Sequence, residues 1–68
     1  MSAWTRTRKH PETWQATDGP YTLTVLHAGY LVWYWRVDDG HGVTGASAET
    51  RLRAQTAAER EAARRRAG

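Results

Sequence analysis

Apolar and polar residues alternate along most of the chain before residue 50, and a period of two predicts β-strands. The strongest signal is residues 30–37, a run of aromatic and β-branched residues. Alternate side chains of a strand point to opposite faces, so Leu31, Trp33, Trp35 and Val37 share one face. Because two tryptophans bury a large apolar area, we predict that this face belongs to the core.

The remaining strands are predicted from the same alternation and from the turn residues between them. The predicted strands cover residues 4–9, 12–17, 21–27 and 30–37, and a segment of small residues, 43–48, could form another. The breaks fall at Pro11, at the Asp-Gly-Pro of residues 18–20, and at 38–42, which holds two aspartates and two glycines. The pair Ala28-Gly29 predicts a tight hairpin, so the strands on either side of it should be antiparallel neighbours.

From Thr50 onward the composition becomes that of an α-helix. Residues 51–66 are good helix formers without Gly or Pro, and Thr50 is a suitable N-cap. At helical spacing four alanines lie on one stripe of this helix: Ala54, Ala57, Ala58 and Ala62. We expect this stripe to pack on the tryptophans of the sheet. The predicted fold class is α+β: a three- or four-stranded antiparallel sheet meander packed on one face by a single C-terminal helix, as one domain over residues 1–68.

A single helix covers one face of the sheet and leaves the other face open. There the pattern places two tyrosines, two aliphatic residues and an arginine: Leu26, Tyr30, Val32, Tyr34 and Arg36. So much exposed aromatic and aliphatic surface is typical of a contact site. We therefore predict that these five residues form a protein-binding face, for a host protein or for a second copy of the chain.

The length and the absence of cysteine limit which classes of protein this chain can belong to. A chain of 68 residues has room for one core, and without cysteine it has no disulfide to stabilise that core. The composition suits a reducing compartment, so a cytoplasmic location is expected. No apolar run approaches the roughly 20 residues that span a bilayer, and the first residues lack the apolar segment of a signal peptide. No membrane partner is expected.

The net charge of +3 is unevenly distributed along the chain. Residues 1–11 carry three basic residues and no acidic one, residues 12–50 one basic and five acidic, and residues 51–68 six basic and two acidic. Basic ends can contact phosphates, which makes nucleic-acid binding an alternative function. The residues that would serve it are Arg6, Arg8, Lys9, Arg36, Arg64, Arg65 and Arg66.

The sequence shows no arrangement typical of catalysis or metal binding. Residues 40–45 match the spacing G-x-G-x-x-G, but no βαβ unit accompanies them. The three histidines, His10, His27 and His41, are isolated, and the two aspartates at 38–39 precede a glycine as in an ordinary turn. We predict no catalytic residue, no metal site, no cofactor and no small-molecule substrate, and we expect that the protein is not an enzyme.

A series of aromatic, glycine and alanine positions runs through nearly the whole chain: Trp4-Thr5-Arg6, Trp14, Tyr21 to Val25, Gly29, Trp33 to Val37, Gly45, Ala48 to Thr50 and Ala54 to Ala58. This series resembles a class of short, mostly uncharacterised proteins encoded by actinobacterial phages and their hosts. The resemblance implies no particular function. The order of three strands and a helix is similar to the arm-type DNA-binding domains of tyrosine integrases and to the plant Apetala-type domains. That similarity implies DNA contact through the sheet.

Two functions follow as predictions. The first is a small phage-type protein-interaction module that docks on a host protein or on itself through the aromatic sheet face. The second is a nucleic-acid-binding protein that uses its basic ends and the sheet face. We prefer the first because the sheet face is aromatic rather than basic and the middle of the chain is net acidic. The salt dependence of binding distinguishes the two functions, since phosphate-driven binding weakens steeply as the salt concentration rises.

Overall fold

The computed structural model describes residues 3–67, which form five strands followed by one helix; the ends of the predicted 1–68 domain, residues 1, 2 and 68, lie outside this range. The elements are β1 Thr5–Arg8, β2 Thr13–Asp18, β3 Tyr21–Gly29, β4 Val32–Asp38, β5 Val43–Ala48 and α1 Arg51–Ala67. The strands form one antiparallel sheet in the order β1-β2-β3-β4-β5, and α1 packs on one face of it, mainly over β3 and β4. The α+β class with a C-terminal helix on an antiparallel meander is thus confirmed.

The expected number of three or four strands is wrong, because the sheet has five. The segment of small residues is a full strand, paired with β4 without interruption from Trp33 opposite Ala48 to Asp38 opposite Val43. The basic N-terminal segment also joins the sheet, as a short edge strand with a register shift between Arg6 and Arg8. Backbone pairing with a long, strongly β-forming neighbour is sufficient to order segments whose own side chains add little core.

The hairpin between the two central strands lies later than Ala28-Gly29. β3 continues to Gly29, with a register shift after His27, and the chain reverses at Tyr30 and Leu31. Leu31, the second residue of this turn, has a positive φ of 55°, a left-handed backbone conformation that glycine more often supplies. Both residues therefore leave their predicted positions: Leu31 is 55% exposed rather than on the core face, and Tyr30 is 83% exposed in the turn rather than on the open face.

The centre of the core is aliphatic, with the tryptophans around it. Leu23, Val25 and Val37 are fully buried between the sheet and the helix. Three alanines of the predicted stripe are fully buried against them: Ala54, Ala58 and Ala62. Their small side chains bring the helix backbone close to the sheet, so these three alanines are confirmed as the packing face of α1. The fourth, Ala57, is only partly buried and lies next to Leu52 and Arg53 instead. Trp33 and Trp35 are on the predicted face but only half-buried.

Both ends of α1 are held by side-chain hydrogen bonds. At the start the backbone N–H of Arg53 donates to Thr50 Oγ1 over 3.1 Å, which confirms Thr50 as the N-cap. At the end Arg65 and Arg66 bond to the loops and strands beneath them. The helix is thereby fixed along the sheet, and no helix among residues 3–67 is long and apolar enough to cross a membrane.

Candidate interaction surface

The face of the sheet opposite α1 forms a shallow concave surface, which we call the open groove. The volume of this depression is about 1120 Å³. Two rows of residues cross it from strand to strand, Arg8-Thr13-Leu26-Tyr34-Ser47 and Thr5-Gln15-Thr24-Arg36-Gly45. The residues that border it are Thr7, Arg8, Thr13, Gln15, Thr24, Leu26, Tyr34, Trp35, Arg36, Val43, Gly45, Ala46 and Ser47. Of these, Trp35 and Ala46 are paired with each other and belong by alternation to the helix side of the sheet.

The centre of the open groove is apolar and its surroundings are hydroxyl-rich. Leu26 lies directly opposite Tyr34, whose side chain is half exposed at 51%. Threonines and a serine surround this pair on the neighbouring strands. Gly45 faces Arg36 across the strands and adds no side chain of its own, so the arginine has open space beside it. The surface therefore offers one aromatic–aliphatic contact area with hydrogen-bonding groups on both sides.

The charges of the open groove are both positive. Arg8 and Arg36 are exposed, and among the lining residues that the structure describes none carries a carboxylate. Neither arginine makes an ion pair with another residue of the 3–67 range. Arg8 lies on β1 and Arg36 on β4, three strand spacings apart, which corresponds to about 15 Å. The groove thus presents two separated cations with an apolar patch between them.

The predicted protein-binding residues are only partly brought together. Leu26, Tyr34 and Arg36 line the open groove. Val32 is half-buried at the start of β4, beyond the lining residues, and Tyr30 is in the hairpin turn outside the groove.

Arg8 lines the open groove but does not belong to the predicted protein-binding face, and its orientation depends on a bulge. Arg6 pairs with Trp14, on the helix side of the sheet, but after the register shift Arg8 pairs with Thr13, on the open side. A strict alternation would have put both arginines on one face. Thr13 and Gln15 differ from Arg8, because alternation along β2 already places them on the face of the sheet that Trp14 does not occupy. Once β2 is placed beside β3, these two residues are expected in the groove.

The C-terminal arginines proposed for phosphate contact are engaged within the protein. Arg65 donates to Glu61 Oε2 over 3.0 Å, to Asp39 Oδ2 over 3.3 Å and to the Thr44 hydroxyl. Arg66 reaches Asp18 Oδ1 over 2.9 Å. Arg64 makes two bonds to Glu61, at 3.2 and 2.6 Å, with its side chain otherwise exposed. The basic end of the helix is therefore largely compensated by Glu61 within α1 and by Asp39 and Asp18 of the sheet and its turns.

Two carboxylates of these networks, Glu61 and Asp39, have lowered pKa values. The Arg64 guanidinium, and then that of Arg65, holds the pKa of Glu61 below its usual range. The backbone N–H groups of His41 and Gly42 lower the pKa of Asp39, with a further contribution from Arg65. All of these groups lie on the helix side or in the β4–β5 turn, away from the open groove.

A second ionic cluster lies near the start of α1. The indole N–H of Trp14 donates to Glu12 Oε2 over 2.7 Å and lowers the pKa of that carboxyl, helped by Arg51. Arg51 lies over the Trp14 ring, 4.4 Å from its centroid, and reaches Glu12 over 3.5 Å. Nearby on the same face His27 stacks on Trp33 at 4.4 Å. Of these contacts, those of Arg51 with Trp14 and Glu12 fasten the helix start to the sheet.

No metal-ligand arrangement was found in the described residues, where no group of three or more His, Asp or Glu side chains converges. The segment 40–45 leads into strand β5 and not into a helix. In its turn Asp39 Oδ1 accepts hydrogen bonds from the backbone N–H groups of His41 and Gly42, each at 2.8 Å. Asp38 Oδ1 likewise accepts from the Gly40 N–H. This is ordinary turn chemistry.

Comparison of the chain with protein-family models, with curated proteins and with solved structures found no match. The resemblances to phage-type proteins and to integrase or plant DNA-binding domains therefore stay predictions.

Proposed function

We propose that this protein is a non-enzymatic protein-interaction module that binds an acidic, extended segment of a partner protein in the open groove. The observation that carries the proposal is the pairing of an exposed aromatic–aliphatic centre with two cations and no carboxylate. Tyr and Arg are enriched in the centres of protein interfaces, whereas Lys, Glu and Asp are depleted there. The groove shares part of this composition, because Tyr34, Arg8 and Arg36 line it and none of its lining residues is Lys, Glu or Asp.

The spacing of the groove residues suggests what such a segment looks like. In an extended chain, residues i, i+2 and i+4 point to the same side, and positions i and i+4 are about 13 Å apart. That span is close to the separation of Arg8 and Arg36 across the strands. A segment with acidic residues at i and i+4 and an apolar residue at i+2 would pair its charges with the arginines and place the apolar residue on Leu26 and Tyr34.

Nucleic-acid binding is the second candidate, and one observation favours it. Arg6, Arg8, Lys9 and Arg36 are exposed and make no ion pair within residues 3–67. With the C-terminal arginines engaged in ion pairs, these four would have to supply the phosphate contacts. A single strand could stack one base on Tyr34. We rank this candidate second because the groove offers one exposed aromatic ring and two cations, a small set for a phosphate-driven site.

The test is fluorescence anisotropy with two labelled probes, a Glu-Ser-Leu-Ser repeat peptide and oligo(dT). The variants are R8Q/R36Q in the groove and R53Q/R60Q on the outer side of α1, which removes the same charge elsewhere. We expect the peptide to bind, and R8Q/R36Q to weaken it at least about tenfold, while R53Q/R60Q leaves it unchanged. Tyr34→Ala should weaken peptide binding, whereas Tyr30→Ala, in the turn outside the groove, should not.

Three outcomes argue against the proposal. If neither probe binds, the open groove is not an anion-directed site. If both double variants weaken the peptide equally, binding follows net charge and not the groove. If oligo(dT) binds more tightly than the peptide and its affinity falls steeply between about 50 and 200 mM salt, the second candidate replaces the first.

A further inference from the structure

The two edges of the sheet differ in how they are protected. An edge strand carries unpaired backbone N–H and C=O groups, and proteins usually guard it with charges, a bulge or short length. β1 has all three: four residues, Arg6 and Arg8 within it, and a register shift between them. Within residues 3–67 it pairs only with β2, and another strand approaching it would meet positive charge.

β5 has none of these protections. Its six residues, Val43–Ala48, include no charged residue and no proline, and the pairing with β4 is regular. On its other side it pairs with no strand among the residues described. Most of its side chains are exposed, Val43 at 56% among them. The outer edge of β5 is thus a regular, neutral row of backbone donors and acceptors.

We propose that β5 pairs antiparallel with β5 of a second copy of the chain, across a two-fold axis, to form a continuous ten-stranded sheet. A neutral strand can approach its own copy without charge repulsion, and an antiparallel arrangement about the centre of β5 is self-complementary. Small side chains such as Ala46 and Ser47 leave the approach unobstructed. The occupant of this edge is therefore a second copy of the protein.

The position of α1 leaves room for this pairing. The helix lies mainly over β3 and β4, about one and a half strand spacings from β5. In the paired sheet the two helix axes would be about 19 Å apart, well beyond the diameter of about 10 Å that a helix occupies. Ala46, on the helix side of β5, is exposed, so the helix does not cover the middle of the strand.

Packing of two open grooves face to face is a poorer way to form a dimer. It would bring Arg8 and Arg36 of one copy against the same arginines of the other, with no carboxylate in the lining to compensate. Pairing through β5 avoids this. An axis perpendicular to the sheet keeps both open grooves on the same side, so the dimer would present two of them side by side.

Sedimentation velocity without any ligand tests the pairing, separately from groove binding. We expect wild type to pass from monomer to dimer as its concentration rises to about 1 mM, with an affinity in the micromolar range or weaker because the interface is small. Ala46→Lys places two like charges near the axis and should remain monomeric. Thr5→Lys adds the same charge on β1 and should dimerise as wild type does.

Mixing variants separates pairing from misfolding. Ala46→Glu alone should be monomeric, and an equimolar mixture of Ala46→Glu with Ala46→Lys should regain the dimer. The proposal is overturned if wild type stays monomeric, if Ala46→Lys dimerises as wild type does, or if both lysine variants weaken association equally. It is also overturned if the mixture of two folded variants stays monomeric.

Discussion

At the scale of single residues, Gly45 has the most restrictive environment among the glycines that the structure describes. A Cβ built on Gly45 would lie 2.5 Å from the backbone carbonyl oxygen of Trp35, closer than any side chain tolerates. The approach belongs to the β4–β5 pairing, where Gly45 sits opposite Arg36. The absent side chain also keeps the open groove clear next to that arginine.

Gly45→Ala should therefore displace β5 from β4 and lower the free energy of unfolding by about 1–3 kcal/mol. Gly42→Ala is the matched control, because a Cβ at Gly42 would meet no atom within 4 Å. Chemical denaturation of both variants measures the difference. Equal stability of the two would contradict the close approach at Gly45.

At the scale of elements, the end of α1 is held to the sheet by ion pairs. On sequence grounds the last arginines exceed what the helix dipole needs, and their removal is expected to cost little. The structure predicts otherwise for Arg65, whose side chain is only 18% exposed and which contacts Glu61, Asp39 and Thr44. Arg64 next to it is 72% exposed, and within residues 3–67 its side chain bonds only to Glu61.

Arg65→Ala should lower the free energy of unfolding by about 1–3 kcal/mol, because it leaves two carboxylates and a hydroxyl without their shared donor. Arg64→Ala, which removes the same charge from the neighbouring position, should change it by less than about 0.5 kcal/mol. Thermal unfolding of the two variants, compared with wild type, measures this difference in stability. Similar losses of unfolding free energy in both variants would mean that these arginines stabilise the protein through the helix dipole, and that the contacts of Arg65 add nothing.

Much of the element pattern was predictable from the sequence, since strands and helix differ clearly in period and composition. The alanine stripe and the Thr50 cap follow from local rules and are present. The hairpin was misplaced because glycine normally supplies the positive φ of a tight turn, and here Leu31 adopts it. The aliphatic centre of the core was also underrated, because residue size suggested that the tryptophans would occupy it.

The candidate site was less predictable than the fold. Leu26, Tyr34 and Arg36 follow from alternation in the two central strands. Arg8 depends on a bulge in β1, and the pairing of the C-terminal arginines depends on where the helix ends over the sheet. The end of the helix was predicted to within one residue, but neither the bulge nor the position of the helix end over the sheet has a local sequence signal.

At the scale of the whole molecule, charge is sorted between the two sides of the sheet. Glu61 on the helix and Asp39 in the β4–β5 turn have lowered pKa values, so these two carboxylates stabilise the fold while they are ionised. A group whose folded pKa is depressed loses its contribution as pH falls from its ordinary pKa through the lowered one. The ordinary values are 4.5 for Glu61 and 3.8 for Asp39.

We therefore expect stability to decrease as pH falls below about 5. Glu61→Gln should be less stable than wild type near neutral pH, because Arg64 and Arg65 lose their charged partner. The difference should shrink as pH falls, since the wild-type carboxyl becomes protonated and neutral as well. Urea unfolding across this pH range measures it. A difference that stays constant down to about pH 2 would show that Glu61 acts through packing and not through its charge.

The central claim, that the open groove is the binding surface, is tested most directly by an amide NMR titration of the full chain with the Glu-Ser-Leu-Ser repeat peptide. We predict shifts concentrated at Thr24, Leu26, Tyr34 and Arg36, with residues on the outer side of α1 such as Leu52 and Arg60 unmoved. Shifts confined to the helix, or none at a saturating concentration, would contradict the claim.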